Sequence, residues 1–232
     1  MKESVQKNLG AFSVEEMETI TDKTVIIVGL GGLGGMVANG LVRLGVKRFV
    51  LIDHDRYEAT NMNRQLFCTE ETLGMLKVLA AEEALHKIDS DVDIKVYAER
   101  FENLPPSVFH RADLIVDGLD SIPLKLQLER IASRHETPLL HGAIGGWYGQ
   151  LGLSMPASRL LERYYKTTEL GAKNEEESPT FTPGVIANIM VGEAAKVLSG
   201  NESGLYNRLL FIDLLNHDFK TITLEAMDES VT

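Results

Sequence analysis

The chain has 232 residues, 44% hydrophobic and 25% charged, a balance that suits one globular α/β domain with a full core and disfavours disorder or two independent domains. Its formal net charge of −11 argues against sequence-independent binding to nucleic acid or to an anionic membrane, both of which need a basic face. The single cysteine, Cys68, excludes an internal disulfide and a zinc site of paired cysteines, and no leader-like or membrane-length apolar run is present, so a cytoplasmic protein is expected.

In chain order, an N-terminal arm up to Thr21 carries a short helix, with Ser13 as its cap and Glu16 three residues on in the capping-box pattern. Strands are expected at Thr24–Val28, Arg48–Ile52, Val92–Tyr97, Ala112–Val116 and Pro138–His141, with helical stretches between most of them. The helix after Phe67 carries an apolar stripe of Leu73, Leu76, Ala80 and Ala84, with Lys77 at its border. Beyond Gly142 the pattern changes. Trp147–Met155, Leu209–Leu214 and Phe219–Leu224 read as mixed or antiparallel strands, the last two joined by a turn at Asn216–His217. Between them Pro183–Leu198 reads as a helix with Val185, Ile189, Gly192 and Lys196 at helical spacing, and the acidic Thr168–Pro179 reads as an exposed loop or lid. The alternation predicts a Rossmann-like, mainly parallel sheet with an antiparallel C-terminal extension.

The run from Gly29 to Gly35 follows the first strand and opens a helix to about Leu44. Glycines at Gly29, Gly31, Gly32 and Gly34 let the backbone turn sharply and approach a ligand, and they leave helix N-terminal N–H groups aimed at phosphate. Asp53 ends the next strand, where a carboxylate can accept hydrogen bonds from ribose hydroxyls. The turn alone does not choose between NAD and ATP. The residues after Asp53 do: Asp55 is followed by Asn61, Arg64 and Gln65 and then by Lys77, and of these Asn61, Arg64 and Lys77 can supply the donors that a triphosphate needs and a dinucleotide does not. By spacing alone Lys77 can equally snorkel from an apolar face to water, and Asp120 can also cap a helix over Ser121–Arg134, a role that does not exclude a ligand.

Together these residues resemble the ThiF/MoeB/HesA adenylating family, bacterial relatives of ubiquitin-activating enzymes. The resemblance runs from Asn8 to about Leu224 and rests on the glycine turn, Asp53, the Asn-x-x-Arg-Gln motif at Asn61, Arg64 and Gln65, the helix lysine Lys77, and Asp120 in Val116–Ser121. It implies a site for ATP and Mg²⁺, with Arg64, Lys77 and Asp120 catalytic and Asp120 on the metal. It further implies a homodimer that adenylates the Gly-Gly end of a ubiquitin-like sulfur-carrier protein and releases pyrophosphate. On this reading the chain divides into an arm (1–22), a nucleotide-binding half (23–142) and a substrate-binding half (143–232).

Three departures from the family pattern bear on the chemistry. The cysteine pairs that bind zinc in many members are missing, so no zinc is expected. Cys68 lies just after the Asn-x-x-Arg-Gln motif rather than in a later crossover loop, so it is expected to be an inert buried thiol, with no thioester step. The arm position where relatives carry an arginine is Lys7, which keeps the charge but loses the bidentate fork. Gly145–Gln150, with Trp147 and Tyr148, either packs a sheet corner or, with Phe181–Gly184, lines a channel for a glycine-ended tail. Alternative readings are adenylation of a small carboxylate, a non-catalytic adenylation fold, and an NAD(P)-dependent oxidoreductase; the last leaves Asn61, Arg64 and Lys77 unexplained.

Overall fold

The computed structural model of the chain describes residues 2–167 and 178–224. One eight-stranded sheet runs in the order β3-β2-β1-β4-β5-β6-β7-β8. The strands are β1 (Thr24–Val28), β2 (Arg48–Ile52), β3 (Asp93–Tyr97), β4 (Leu114–Asp117), β5 (Leu139–Gly145), β6 (Tyr148–Ser154), β7 (Arg208–Asp213) and β8 (Asp218–Thr223). The pairings from β3 through β5 are parallel and those from β5 through β8 antiparallel. The expected sheet is therefore present, with most strand ends shifted by one or two residues. The largest shift is in β5. It runs on from His141 to Gly145 because the hairpin to β6 pairs it along its whole length, Leu139 with Ser154 through Gly145 with Tyr148. A strand reinforced on both sides outlasts its apolar run. β5 thereby passes through the boundary drawn at Gly142.

Helices cover both faces: α1 (Val14–Thr21), α2 (Gly32–Leu44), α3 (Lys77–Ile88), α4 (Ile122–Arg134), α5 (Leu160–Thr167) and α6 (Phe181–Ser199). Alternation along β1 splits the core. Val25 and Ile27 pack with α2, α3 and α6, whereas Ile26 and Val28 pack with α4 and α5. The Ser13–Glu16 capping box on α1 is formed, with Glu16 N donating to Ser13 Oγ at 3.1 Å and Ser13 N to Glu16 Oε2 at 2.7 Å.

Two helix faces differ from expectation. α3 begins at Lys77, so Leu73 lies outside it and is exposed, and the buried face is Val78, Ala80, Ala81 and Leu85. In α6 the buried ridge is Ile186, Met190, Ala194 and Leu198, one or two positions after the stripe drawn through Val185, Ile189, Gly192 and Lys196. A shift of one residue turns a helix face by about 100°, and close packing on α2 selects this face. A Cβ added at Gly40 of α2 would lie 2.5 Å from Val191 Cγ2 of α6. The segment read as a loop or lid lies outside the described residues except for Ser178 and Pro179.

Candidate functional site

The carboxyl edge of the parallel strands opens onto a cleft of about 880 Å³, where an open α/β sheet holds its ligands. Its first wall is the glycine turn. Gly29 has φ +87°, and its N–H donates to Ile52 O at 2.9 Å, tying the turn to β2. A Cβ on Gly29 would lie 2.6 Å from Gly118 O, and one on Gly34 would collide with Gly29 O. Those two glycines thus serve the close packing of turn, helix and strand, and Gly34 does not line the cleft. Gly31 and Gly32 do line it. Gly31 is the N-cap of α2 and no side chain caps that helix, so its leading N–H groups keep the capacity that an anion would use.

Asp53 is 8% exposed, with Oδ2 accepting from Leu30 N at 2.7 Å and Oδ1 from Asp55 N at 2.8 Å. The expected ribose acceptor is therefore also a clamp on the glycine turn. Each of its oxygens retains a further lone pair for a ligand. Asp53, His54 and Asp55 form a cluster of potential metal ligands whose atoms lie within 4.8 Å of one another, but Asp55 Oδ2 is paired with Lys77 Nζ at 3.2 Å.

The second wall is the Asn-x-x-Arg-Gln segment. Arg64 faces the cleft half-buried, steadied by Nη1 donating to Thr60 O at 3.0 Å and to Asn63 Oδ1 at 2.8 Å. Gln65 is buried beside Gly31, and its Oε1 has no hydrogen-bond partner among the described residues. A buried amide oxygen without a donor is costly, so this one fits a ligand that brings a donor, such as a nucleotide. Lys77, at the first position of α3, is buried and turned into the cleft toward Asp55 rather than snorkelling outward. Asn61 does not line the cleft. Its Oδ1 accepts from Glu58 N at 3.1 Å, so it shapes the loop that carries Arg64. Cys68 is 6% exposed, its Sγ within 3.5 Å of Glu58 O, and burial pushes its thiol pKa up, as suits an inert residue.

The third wall is the turn between β4 and α4. Asp120 lines the cleft, is exposed, and makes no hydrogen bond or ion pair among the described residues. It caps no helix, because α4 starts at Ile122 and its N-cap is Ser121. Below it lies a cluster that the sequence reading passed over. Asp117 is fully buried and accepts from Lys125 Nζ at 3.1 and 3.2 Å, from His141 Nδ1 at 2.7 Å and from Leu119 N at 3.1 Å. Burial alone would raise the Asp117 pKa, but Lys125 and the His141 hydrogen bond outweigh it and hold the carboxyl below its usual range. Burial and the neighbouring Lys125 charge lower the His141 pKa and keep the ring neutral. The available signal was two apolar strands, Leu-Ile-Val-Asp and Leu-Leu-His, ending in polar residues at the same sheet edge.

Lys7 lies on the exposed side of a 3-10 helix (Glu3–Gly10) that docks by Asn8 Nδ2 on Leu44 O, at 3.1 Å. That is the far end of the 13-residue α2, about 20 Å from the glycine turn. Lys7 therefore takes no part in the cleft of its own chain. Trp147 and Tyr148 do not pack a corner: Trp147 is 45% exposed and Tyr148 50%, and Trp147 stacks on Phe181 with ring centroids 4.5 Å apart. Thr182 Oγ1, donating to Gly146 O at 2.6 Å, fixes the start of α6 to this hairpin.

Comparison with known proteins adds the lineage. The chain is 32% identical to a sulfur carrier protein adenylyltransferase of Thermus thermophilus, over 90% of this chain and 82% of that protein. It is 27% identical to the molybdopterin-synthase adenylyltransferase of Escherichia coli, over 93% of this chain and 89% of that protein. It spans about half, 48%, of the maize adenylyltransferase and sulfurtransferase MOCS3-1, at 28% identity over 95% of this chain. Among solved structures, Escherichia coli MccB with AMPCPP and MccA superposes with a TM-score of 0.82 at 18% identity, covering 96% of this chain and 71% of that one, a likeness of fold. No helix among the described residues is long and apolar enough to cross a membrane. The ThiF family model matches residues 4–232, and the chain belongs to the ThiF family.

Proposed function

We propose that this chain binds ATP with Mg²⁺ in the cleft and transfers AMP to a carboxylate, releasing pyrophosphate. The observation that carries the reading is the meeting of an uncapped helix N-terminus at Gly31 with Arg64, Lys77 and Gln65, whose Oε1 has no partner among the described residues. In this reading the Gly31–Gly32 backbone and Gln65 seat the nucleotide. Arg64 and Lys77 neutralise the charge that spreads over the phosphates as the carboxylate oxygen bonds to the α-phosphorus and the bond to pyrophosphate breaks. Asp120, exposed at the rim and unpaired among the described residues, is the residue we assign to the metal, and a hard dication there would screen the two anions from each other.

The carboxylate we assign is the Gly-Gly terminus of a small ubiquitin-like sulfur-carrier protein, supported by membership in the ThiF family and by the names of the relatives that match most of this chain. We place the reaction in the cytoplasm and in a homodimer, in which Lys7 of one copy approaches the nucleotide of the other. Its distance from its own cleft supports a role across the interface. The chain as a whole, arm, nucleotide-binding half and substrate-binding half, acts as one adenylation unit. ATP–pyrophosphate exchange tests the reading: it should require a Gly-Gly-ended carrier. Exchange driven instead by small carboxylates would assign a small-molecule substrate, and tight NAD binding without ATP binding in calorimetric titrations would overturn the nucleotide assignment.

A further inference from the structure

Lys125 borders the cleft as Arg64 and Lys77 do, yet its chemistry is already committed. Its ammonium donates to Asp117 Oδ1 and Oδ2 at 3.2 and 3.1 Å and to Gly142 O at 2.8 Å, and the side chain is 2% exposed. Three protons meet three acceptors, so none is left for a phosphate. Asp117 in turn uses Oδ1 to hold Leu119 N at 3.1 Å, inside the turn that presents Asp120. On the other side of that turn, Gly118 N donates to Val28 O at 2.8 Å, and a Cβ on Gly118 would lie 2.5 Å from Gly29 O. The turn is thus clamped between the glycine turn and the Asp117–Lys125 pair. His141 Nδ1 donates to Asp117 Oδ2, which leaves Nε2 to accept from Gln150 Nε2 at 3.2 Å; that same nitrogen donates to Tyr165 Oη at 2.9 Å. The clamp is thereby fastened to β5, β6 and α5.

We propose that Lys125, acting through Asp117, is a positioning residue for the metal–nucleotide. The pair fixes the 118–121 turn so that the Asp120 carboxylate meets the cation carried by ATP. The proposal rests on the assignment of Asp120 to the metal. Its physical content is that a buried pair of zero net charge, with every donor matched, leaves the turn one arrangement. Groups that orient a metal ligand in this way typically change metal affinity by about 10–100-fold when removed.

The test uses the whole chain with Mn²⁺ and a non-hydrolysable ATP analogue, and no carboxylate, reading bound Mn²⁺ by electron paramagnetic resonance. Asp117→Asn combined with Lys125→Met removes both charges together, so no lone buried ion remains. If that pair does not fold, Lys125→Gln alone carries the test, since it keeps a donor toward Asp117 and Gly142. The folded variant should bind the metal-free analogue as the wild type does and lose about tenfold or more in Mn²⁺ affinity. Lys125→Arg, which restores charge and reach, should recover most of that affinity. In an Asp120→Ala background the same substitutions should add little, because both act on one contact. Wild-type Mn²⁺ affinity in the folded variant, or a full additional loss on top of Asp120→Ala, would overturn the proposal. Failure of the adenylation reading would show separately, as wild-type protein that binds the metal–nucleotide without catalysing exchange.

Discussion

The buried layer just beneath the cleft, its floor, and the rim above it each carry an aspartate and put it to opposite use. At the floor, Asp117, Lys125 and His141 are buried and partnered only with protein groups. At the rim, three residues further along, Asp120 is exposed and Gln65 Oε1 buried, each without a partner among the described residues, and the first turn of α2 is uncapped. Saturated polar groups fix a structure, while unsaturated ones at the edge of a cleft remain for a ligand. Two aspartates in one six-residue stretch therefore carry different work, and only their surroundings say which.

The sharpest break in that contrast is expected from Lys125→Met alone. It strands the Asp117 carboxylate in the interior, and breaking a buried pair from one side costs about 3–5 kcal/mol. In a chain of this size that lowers Tm by about 6–20 °C in a calorimetric scan. Asp120→Ala should leave Tm almost unchanged, since exposed substitutions stay within about 0.5 kcal/mol. Equal losses of stability from the two would erase the distinction between floor and rim.

Acid should reveal the same floor. The folded-state pKa of Asp117 is lowered, so its contribution to stability is complete above the unfolded carboxylate value of about 3.9 and is lost as pH falls below it. The folded-state pKa of His141 is lowered too, so stability also declines as pH falls below the unfolded histidine value of about 6.5. Both push in one direction. Thermal melts from pH 7 to pH 4 should show a decline that flattens above pH 5 in His141→Gln.

At the rim the expected losses are in rate. Arg64→Ala and Lys77→Ala should each slow ATP–pyrophosphate exchange by about 10²–10³-fold while leaving the folded fraction intact. Loss of folding with full specific activity in what remains would make either residue structural. Lys7→Ala should cost less than Arg64→Ala, because an ammonium acts as a point charge. Mixing Lys7→Ala with Arg64→Ala subunits should restore activity if the arm works across a dimer, and exchanging subunits that stay inactive would show that it does not. The smallest effect is expected from Cys68→Ser, which should leave adenylation unchanged, since no thiol is needed to form an acyl-adenylate; a carrier thioester lost in that variant would place the chemistry elsewhere.

What the sequence revealed follows the same division. Local chemistry was readable: the glycine turn, the capping box, and rim residues such as Arg64, Gln65, Lys77 and Asp120 announce themselves by motif and fall together in the cleft. Gly34 and Asn61 belong to the same motifs yet work through backbone packing and a loop hydrogen bond, a difference that only coordinates express. The floor was missed for another reason. Asp117, Lys125 and His141 are separated by eight and sixteen positions, and they meet only because β4 and β5 are neighbours and α4 folds back over them. The face of α6 differs from the expected one by one or two residues because the partner that selects it, α2, lies far away in sequence.

The central claim, attack of a carboxylate on the α-phosphate in this cleft, is tested most directly by an isotope. A Gly-Gly-ended carrier labelled with ¹⁸O in its terminal carboxylate should be incubated with the protein, ATP and Mg²⁺, and the product cleaved with hydroxylamine. The account predicts AMP carrying one ¹⁸O, together with unlabelled pyrophosphate. ADP with labelled inorganic phosphate, or AMP free of label, would contradict it.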